Sequence, residues 1–369
     1  MSRKLKIIMV EIAGRGGICH YAYNLSLELG QSTQIMLVTG KDYELKDKKR
    51  NFELVEMFNR LKTNPFILFE LTRIFKDKEV DIVHFQASQY PVFVLLLACL
   101  GKAAGKKIVI TAHNVVSHEN KIWEQWIYRK LYEMASGIIV HARANKEELL
   151  KMFRVDEVKI SVIPHGNYMF FSSTDKNTLV DTDENSILFF GYIREYKGLI
   201  HLIRALKIVT DKIAKAKLLI VGRPVENFQK YRDEIEKLQL KNNVELRLDY
   251  VPFEEVKDYF SRAAVVALPY EKIYQSGVLQ LAYGFGKPVV VTDTGGLPEA
   301  VEHGENGFIV PVGDIEALAK ALINVLLNVE LKEKMGKRSL ELAETKFSWS
   351  HAAGLTKNLY DSLTTLNKQ

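Results

Sequence analysis

The sequence predicts an α/β protein of two doubly wound, parallel-sheet domains. Three observations carry this. Short apolar runs alternate with amphipathic helical patterns along almost the whole chain. A polar stretch, SSTDKNTLVDTDEN (172–185), separates two such series and reads as a linker. The 369 residues, 47% hydrophobic and 26% charged, are enough for two independent cores.

The first series opens with LKIIMV (5–10), an apolar run behind a short basic head and interrupted by Lys6. It reads as a strand and not as a leader peptide. QIMLV (34–38), DIVHF (81–85), KIVIT (107–111), GIIV (137–140) and KISVI (159–163) read as further strands. Helical patterns lie between most of them, at 18–29, 91–104, 121–135 and 143–153. The second series gives SILFF (186–190), KLLIV (217–221), VELRL (244–248), AVVAL (264–268), PVVVT (288–292) and GFIV (307–310), again with helices between. Amphipathic helices at 314–328, 330–344 and 346–363 close the chain. Such alternation gives parallel sheets covered on both faces. Ligands of these sheets bind beyond the carboxyl ends of the strands. Two Rossmann-like domains are therefore expected to face a central cleft, the first at 1–171 and the second at 172–348.

Net charge is +6, from 51 Lys and Arg against 45 Asp and Glu. This modest excess permits an anionic ligand or an anionic membrane surface and does not call for nucleic acid. Cys19 and Cys99 have apolar or aromatic neighbours and read as buried free thiols in a reducing compartment. PVFVLLLACLGKAAG (91–105) is too short to span a bilayer. A cytoplasmic protein is expected, with a peripheral place on the inner face of the membrane as an extension of that reading.

Glycines crowd both ends of the strand at 288–292. Before it, QSGVLQLAYGFG offers Ser276 as a helix cap, Gly277 for close approach and a helix from Val278. After it, TDTGGLPEA offers a turn at Gly295 and Gly296 and a helix from Leu297 with Pro298 in its first turn. Two helix starts with free N–H groups suit a phosphorylated ligand. FFGYIREYKGL (189–199) adds Gly191, Arg194 and Lys197 after the second domain's first strand. Arg grips phosphate in bidentate fashion and Lys neutralises it. Tight turns and a solvated basic loop are the plainer reading of each motif taken alone.

In the first domain, AGRGGICHYAYNL (13–25) places Gly14, Gly16 and Gly17 between strand and helix. The next strand ends LVTG with no acid before Asp42, so a nicotinamide site is not indicated and the loop reads as an anion- or sugar-contacting lip. TAHNVVSHE (111–119) places His113, Asn114, His118 and Glu119 on a loop after a strand. His113 and His118 are not spaced as a zinc-protease pair, and there is no Gly-x-Ser-x-Gly elbow. The DTD triplet at 181–183 falls in the linker, where we discount it as a metal motif.

With these residues in view, almost the whole chain resembles a retaining glycosyltransferase of the GT-B fold, of the family 4 (group 1) type. Gly16 and Gly17 match the family's glycine loop and His113 its cleft histidine. Gly191, Lys197 and Gly198 match Gly-Arg-x-x-x-x-Lys-Gly, with Tyr192 at the Arg position and Arg194 two residues later. FGKPVVVTDTGGLPE (285–299), VIPHGN (162–167) and FSWSHAA (347–353) match further segments. The resemblance implies that the last helix, 349–369, crosses back onto the first domain. One departure concerns the family's glutamate pair, whose positions hold Ile273 and Leu281; Glu271 and Gln280 are the nearby polar residues.

The resemblance implies transfer of a hexose from a nucleoside-diphosphate sugar to a hydroxyl acceptor with retention of configuration. His113, Arg194 and Lys197 are the implied catalytic residues. Gly16, Gly17, Gly191, Glu271, Ser276, Gly277, Val278, Gln280, Gly295 and Gly296 are placed on the donor, and Asn114, His118 and Glu119 on the acceptor side. No metal or other cofactor is implied, because fixed cations meet the leaving diphosphate. A glycan or lipid-linked acceptor is expected. A non-catalytic partner that kept the fold and lost the glutamates is the alternative, and a sugar-nucleotide epimerase a third. Basic residues beside aromatics at 41–50, 59–78 and 121–134 also suit a lipid headgroup layer, unless Trp123 and Trp126 pack in the core.

Overall fold

A computed structural model describes residues 3–59, 65–87, 90–116, 122–171 and 184–365. The expected linker lies outside the described residues at 172–183, as does the DTD triplet. The chain divides into two compact units, one of residues 1–166 with 349–369 and one of residues 167–348.

In the first unit, β1 (Lys6–Val10), α1 (Gly17–Leu29), β2 (Gln34–Gly40), β3 (Glu53–Phe58), α2 (Pro65–Phe75), β4 (Val80–Ala87) and α3 (Pro91–Ala103) follow in order. They are continued by β5 (Lys107–Ala112), α4 (Ile122–Met134), β6 (Gly137–Val140), α5 (Arg143–Met152) and β7 (Ile160–Val162). The strands form one parallel sheet in the order β3-β2-β1-β4-β5-β6-β7. Its central strands are buried on both faces, which is why they read as unbroken apolar runs. α1 leads outward from β1 to β2, whereas α2, α3 and α4 lead the other way. Right-handed crossovers therefore put them on opposite faces. α2 packs on α3 and α3 on α4.

The second unit runs β8 (Ser186–Phe190), α6 (Leu199–Lys212), β9 (Lys217–Val221), α7 (Gln229–Lys237), β10 (Val244–Arg247), α8 (Val256–Arg262) and β11 (Val265–Leu268). It continues with α9 (Gly277–Gly284), β12 (Val289–Thr292), α10 (Leu297–Ala300), β13 (Gly307–Val310), α11 (Ile315–Leu327) and α12 (Val329–Glu344). The sheet is again parallel, in the order β10-β9-β8-β11-β12-β13. The strand order reverses direction between β1 and β4 in one sheet and between β8 and β11 in the other. Loops that leave those strands open a crevice at the sheet edge, where doubly wound folds bind ligands.

One boundary differs from the sequence reading. The expected break at residue 171 moves to Gly166. Tyr168 and Phe171 enter the second unit's core, and a short 3-10 turn at Met169–Phe171 packs on α9. The last helix, α13 (Trp349–Thr365), belongs to the first unit and packs on α1. Its Tyr360 hydroxyl lies 2.6 Å from His84 Nδ1 on β4, a buried bond worth about 1 kcal/mol.

The expectation of two buried thiols needs a correction. Cys19 is buried but Cys99 is exposed, because the buried stripe of α3 runs through Val94, Leu97, Ala98 and Gly101.

Candidate functional site

In the second unit, the loops after β8 and β11 meet at the crevice, and the Glu271 amide donates to the Tyr196 carbonyl at 2.7 Å. Lys197 lies in the first loop and is 8% exposed. Its ammonium sits 5.5 Å from the centre of the Tyr270 ring. Gly191, at φ +96°, leaves room for it: a Cβ there would come 3.0 Å from Lys197 Nζ and 3.6 Å from Val278 Cγ2. Gly191, Lys197 and the first turn of α9 thus converge. Ser276 caps α9 by position but makes no side-chain cap bond to it. The Ser276 side chain hydrogen-bonds Tyr270 instead. The opening amides of α9 have no side-chain acceptor at Ser276.

This cluster is positive and uncompensated. Among the described residues, neither Lys197 nor Arg194 has a carboxylate or hydrogen-bond partner for its side chain. Burial, and then the neighbouring Arg194, lower the Lys197 ammonium to about 8. Gln280, on α9, is 3% exposed and its Oε1 has no partner among the described residues. An anion would relieve both cations, since charge-assisted bonds in a dry site are the strong ones.

The other expected donor residues are engaged elsewhere. Glu271 pairs with His201 at 2.9 Å. Ile273 and Leu281, at the glutamate positions, are buried in the apolar core. The second open helix start, expected at Leu297, is not present. α10 is a single turn, the Gly296 amide donates to the Tyr274 carbonyl at 3.1 Å and the Leu297 amide to Thr294 at 3.2 Å. Gly295, at φ +55°, would place a Cβ 1.6 Å from the Ile273 carbonyl oxygen, so it serves a backbone crossing.

In the first unit, Glu11 follows β1 and is 1% exposed. Its carboxylate accepts from the Ala13 and Gly14 amides at 2.7 and 2.8 Å and from the Thr39 hydroxyl at 2.8 Å. Burial nevertheless raises its pKa. The Gly16 amide donates to Glu44 Oε2 at 2.8 Å, and His20 Nε2 is 3.1 Å from the same oxygen. A carboxylate of the chain itself therefore sits on the glycine loop.

His113 follows β5, His141 follows β6 and His165 lies just beyond β7. Their strands are neighbours, so the three rings gather at one sheet edge beneath Tyr21 of α1, at centroid distances of 4.7, 5.2 and 5.0 Å from it. His113 Nε2 is 2.9 Å from the Gln86 side chain and its Nδ1 is 3.3 Å from His141 Nε2. Both ring nitrogens are thus occupied. Burial first, and the neighbouring histidines after it, hold His113 well below the usual histidine range. Burial lowers His141 to about 4 and His84 and His165 to about 3. Asn114 is half-buried beside them, and His118 and Glu119 lie outside the described residues.

Glu11, Glu44, Gln86, His141 and His165 were absent from the residues singled out by sequence. Among the described residues, no group of three or more His, Cys, Asp or Glu side chains is arranged to hold a metal ion.

The sequence pattern described as "Glycosyl transferases group 1" matches residues 171–341, and that of "Glycosyltransferase Family 4" matches residues 15–166. An uncharacterised glycosyltransferase of Methanocaldococcus jannaschii is 29% identical over 259 residues, 66% of this chain and 64% of its own. A D-inositol 3-phosphate glycosyltransferase of Corynebacterium glutamicum is 26% identical over 66% of this chain and 60% of its own. The matches thus span less than two thirds of these relatives' length. Among solved structures, Anabaena HepE in complex with UDP-glucose superposes with a TM-score of 0.78 at 16% identity, over 98% of this chain and 100% of HepE. A glycosyltransferase of Rickettsia africae gives 0.75 at 20% identity, over 98% and 99% of the two chains. These likenesses establish the fold.

Proposed function

We propose that this chain, which belongs to the group 1 glycosyltransferases of the GT-B fold, moves a hexose from a nucleoside-diphosphate sugar to a hydroxyl acceptor with retention of configuration. The observation that carries the reading is Lys197: a buried ammonium with no anion among the described residues, beside Arg194 and the uncapped start of α9. An unpaired buried charge is costly, and such groups cluster at functional sites.

In this reading Lys197, Arg194 and the amides at Gly277 and Val278 hold the diphosphate, and Gln280 offers its unpaired oxygen to a donor hydroxyl. The bond from the anomeric carbon to the diphosphate breaks and a bond to the acceptor oxygen forms. The acceptor's proton passes to a diphosphate oxygen. Negative charge grows on the diphosphate as the bond breaks, and fixed positive groups stabilise that state most. These groups supply the charge that a divalent metal would otherwise bring. In the first unit, Gly16 and Gly17 contact an anionic or sugar group. His113 reaches the sugar through Nε2 by exchanging its Gln86 partner. Asn114, with His118 and Glu119, faces the acceptor. A glycan or lipid-linked acceptor, in polysaccharide or glycolipid synthesis at the inner face of a membrane, fits the basic balance of the chain.

Buried Ile273 and Leu281 favour a second reading, a sugar-nucleotide-binding subunit without turnover. Thermal denaturation with UDP-, GDP- and ADP-sugars tests the binding that both share. A true donor at large excess raises stability by a few kcal/mol. Release of free nucleotide with a product of unchanged anomeric configuration establishes the transferase. Binding without release leaves the subunit, and no stabilisation by any nucleotide sugar removes both.

A further inference from the structure

We propose that the solvent-facing aromatic surface of α2, α3 and α4 docks the first unit onto an anionic lipid bilayer. This rests on the lipid-linked acceptor reading and names the surface that would serve it. Phe66 and Phe69 on α2 are 74% and 73% exposed, and Trp123 and Trp126 on α4 are 54% and 58% exposed. Val92 and Leu96 on α3, between them, are exposed too. Each pair is spaced three or four residues apart, so its members share a helix face.

These residues are not the helices' core stripes. α2 already buries Ile67, Leu71 and Phe75; α3 buries Val94, Leu97 and Ala98; α4 buries Ile127, Leu131 and Tyr132. The exposed pairs are a second apolar face on each of three helices packed in a row, and all lie in the helices' N-terminal halves. A soluble amphipathic helix needs one apolar face, and a second one repeated on neighbouring helices marks an interaction surface. The alternative, that Trp123 and Trp126 pack in the core, is excluded by their exposure.

The charge selects the partner. Residues 59–134 carry eleven Lys and Arg against seven Asp and Glu. Arg73 and Arg129, on α2 and α4, are exposed and make no ion pair among the described residues. Aromatic side chains that protrude by more than half, flanked by free cations, suit the boundary between headgroups and acyl chains. No helix among the described residues is long and apolar enough to cross a membrane, so contact would be with the surface.

The full chain contains three tryptophans, and Trp349 is buried, so tryptophan emission reports mainly Trp123 and Trp126. The test uses vesicles of phosphatidylcholine alone, or of equal parts phosphatidylcholine and phosphatidylglycerol, without donor or acceptor. Docking gives co-sedimentation and a blue-shifted emission with the anionic vesicles, both weakened by salt. The double variant Phe66→Ser, Phe69→Ser keeps both reporters and should lower partition about tenfold with its melting temperature and its stabilisation by nucleotide sugars unchanged. The donor arm fails or succeeds independently of the vesicle arm. No binding to anionic vesicles, or binding that the double variant leaves intact, overturns the proposal. So does self-association abolished by the same substitutions without vesicle binding, which would assign the surface to a second copy.

Discussion

Nε2 of His141 lies 3.3 Å from Nδ1 of His113, and a backbone carbonyl decides which of them carries the proton. His141 Nδ1 is 2.9 Å from the Ile163 carbonyl oxygen, which only accepts, so Nδ1 is protonated. The ring is neutral, which leaves Nε2 bare. His113 must then donate from Nδ1, and its Nε2 is bare in turn. Gln86 therefore presents its NH2 at the position 2.9 Å from His113 Nε2. Its carbonyl then faces Met9 Sδ and His84 Nε2. The nearer partner of His84 Nε2 is the Thr111 hydroxyl at 2.7 Å, and His84 Nδ1 meets the Tyr360 hydroxyl. One proton order thus runs from the Ile163 carbonyl to Gln86.

That order fails in acid. His84, His141 and His165 have folded values of about 3 to 4, lowered by burial, against an ordinary value of 6.5, and His113 is lowered in the same direction. Their neutral forms stabilise the fold fully above pH 6.5, and this is lost as pH falls toward the folded values. Below pH 6.5 each histidine costs up to about 1.4 kcal/mol per pH unit. The first unit should melt markedly earlier at pH 5 than at pH 7. Imidazole 15N spectra should show His113 as the Nδ1–H tautomer, and His141→Leu should release that preference and cost about 1–3 kcal/mol. A melting curve unchanged between pH 7 and 5 contradicts the neutral network.

Much of this was legible beforehand. Every strand expected from the sequence is present, and the one missed among the described residues, β3, carries Glu53 and Glu56 on a half-solvated edge strand that breaks the apolar run. Gly191, Lys197 and Ser276 could be placed because motifs after strands must fall at the sheet edge. What the segments did not disclose was hydrogen-bond partnership. The Gly296 amide is spent on Tyr274, and Lys197 is left without an anion among the described residues. Both facts depend on chain segments far from the motif. The histidine cluster did leave a trace: three successive strands run into TAH, IIVH and VIPH. Comparing strand ends, and not one motif at a time, would have found it.

Lys197 should show opposite effects on binding and stability. Lys197→Met removes a buried cation repelled by Arg194, so the melting temperature should hold or rise. Donor affinity should fall at least about tenfold, since a charge-assisted bond contributes about 1.5–3 kcal/mol. In the unaltered protein the ammonium deprotonates near pH 8, so calorimetric donor affinity should decline above that value. Equal donor binding by Lys197→Met at pH 7 would remove the residue from the site.

Gly191→Ala tests whether the ammonium's position matters as well as its charge. The substitution keeps Lys197 but puts a methyl group 3.0 Å from Nζ, at φ +96°. Backbone strain should cost about 1–3 kcal/mol of stability. Donor affinity should drop while the decline near pH 8 shifts, because the displaced ammonium is differently solvated. Lost stability with donor affinity and pH dependence both retained would make Gly191 a turn residue only.

Glu44 sets the last test, because it holds a group that the function asks for. Its carboxylate takes the Gly16 amide at 2.8 Å and meets His20 at 3.1 Å. An anionic substituent that uses the Gly16 amide must displace it or repel it. Glu44→Gln keeps an oxygen that can accept from Gly16 and so preserves the loop, but deletes the negative charge. If the glycine loop receives the donor, the variant should bind it about three- to tenfold more tightly, a gain of about 0.7–1.4 kcal/mol. Glu44→Ala removes the loop's acceptor as well and should add disorder to the gain, with a lower melting temperature. Calorimetric titration of both variants with the stabilising nucleotide sugar separates the two effects. Weaker or unchanged binding in Glu44→Gln would show that the carboxylate only braces the loop, and Gly16 would leave the donor site.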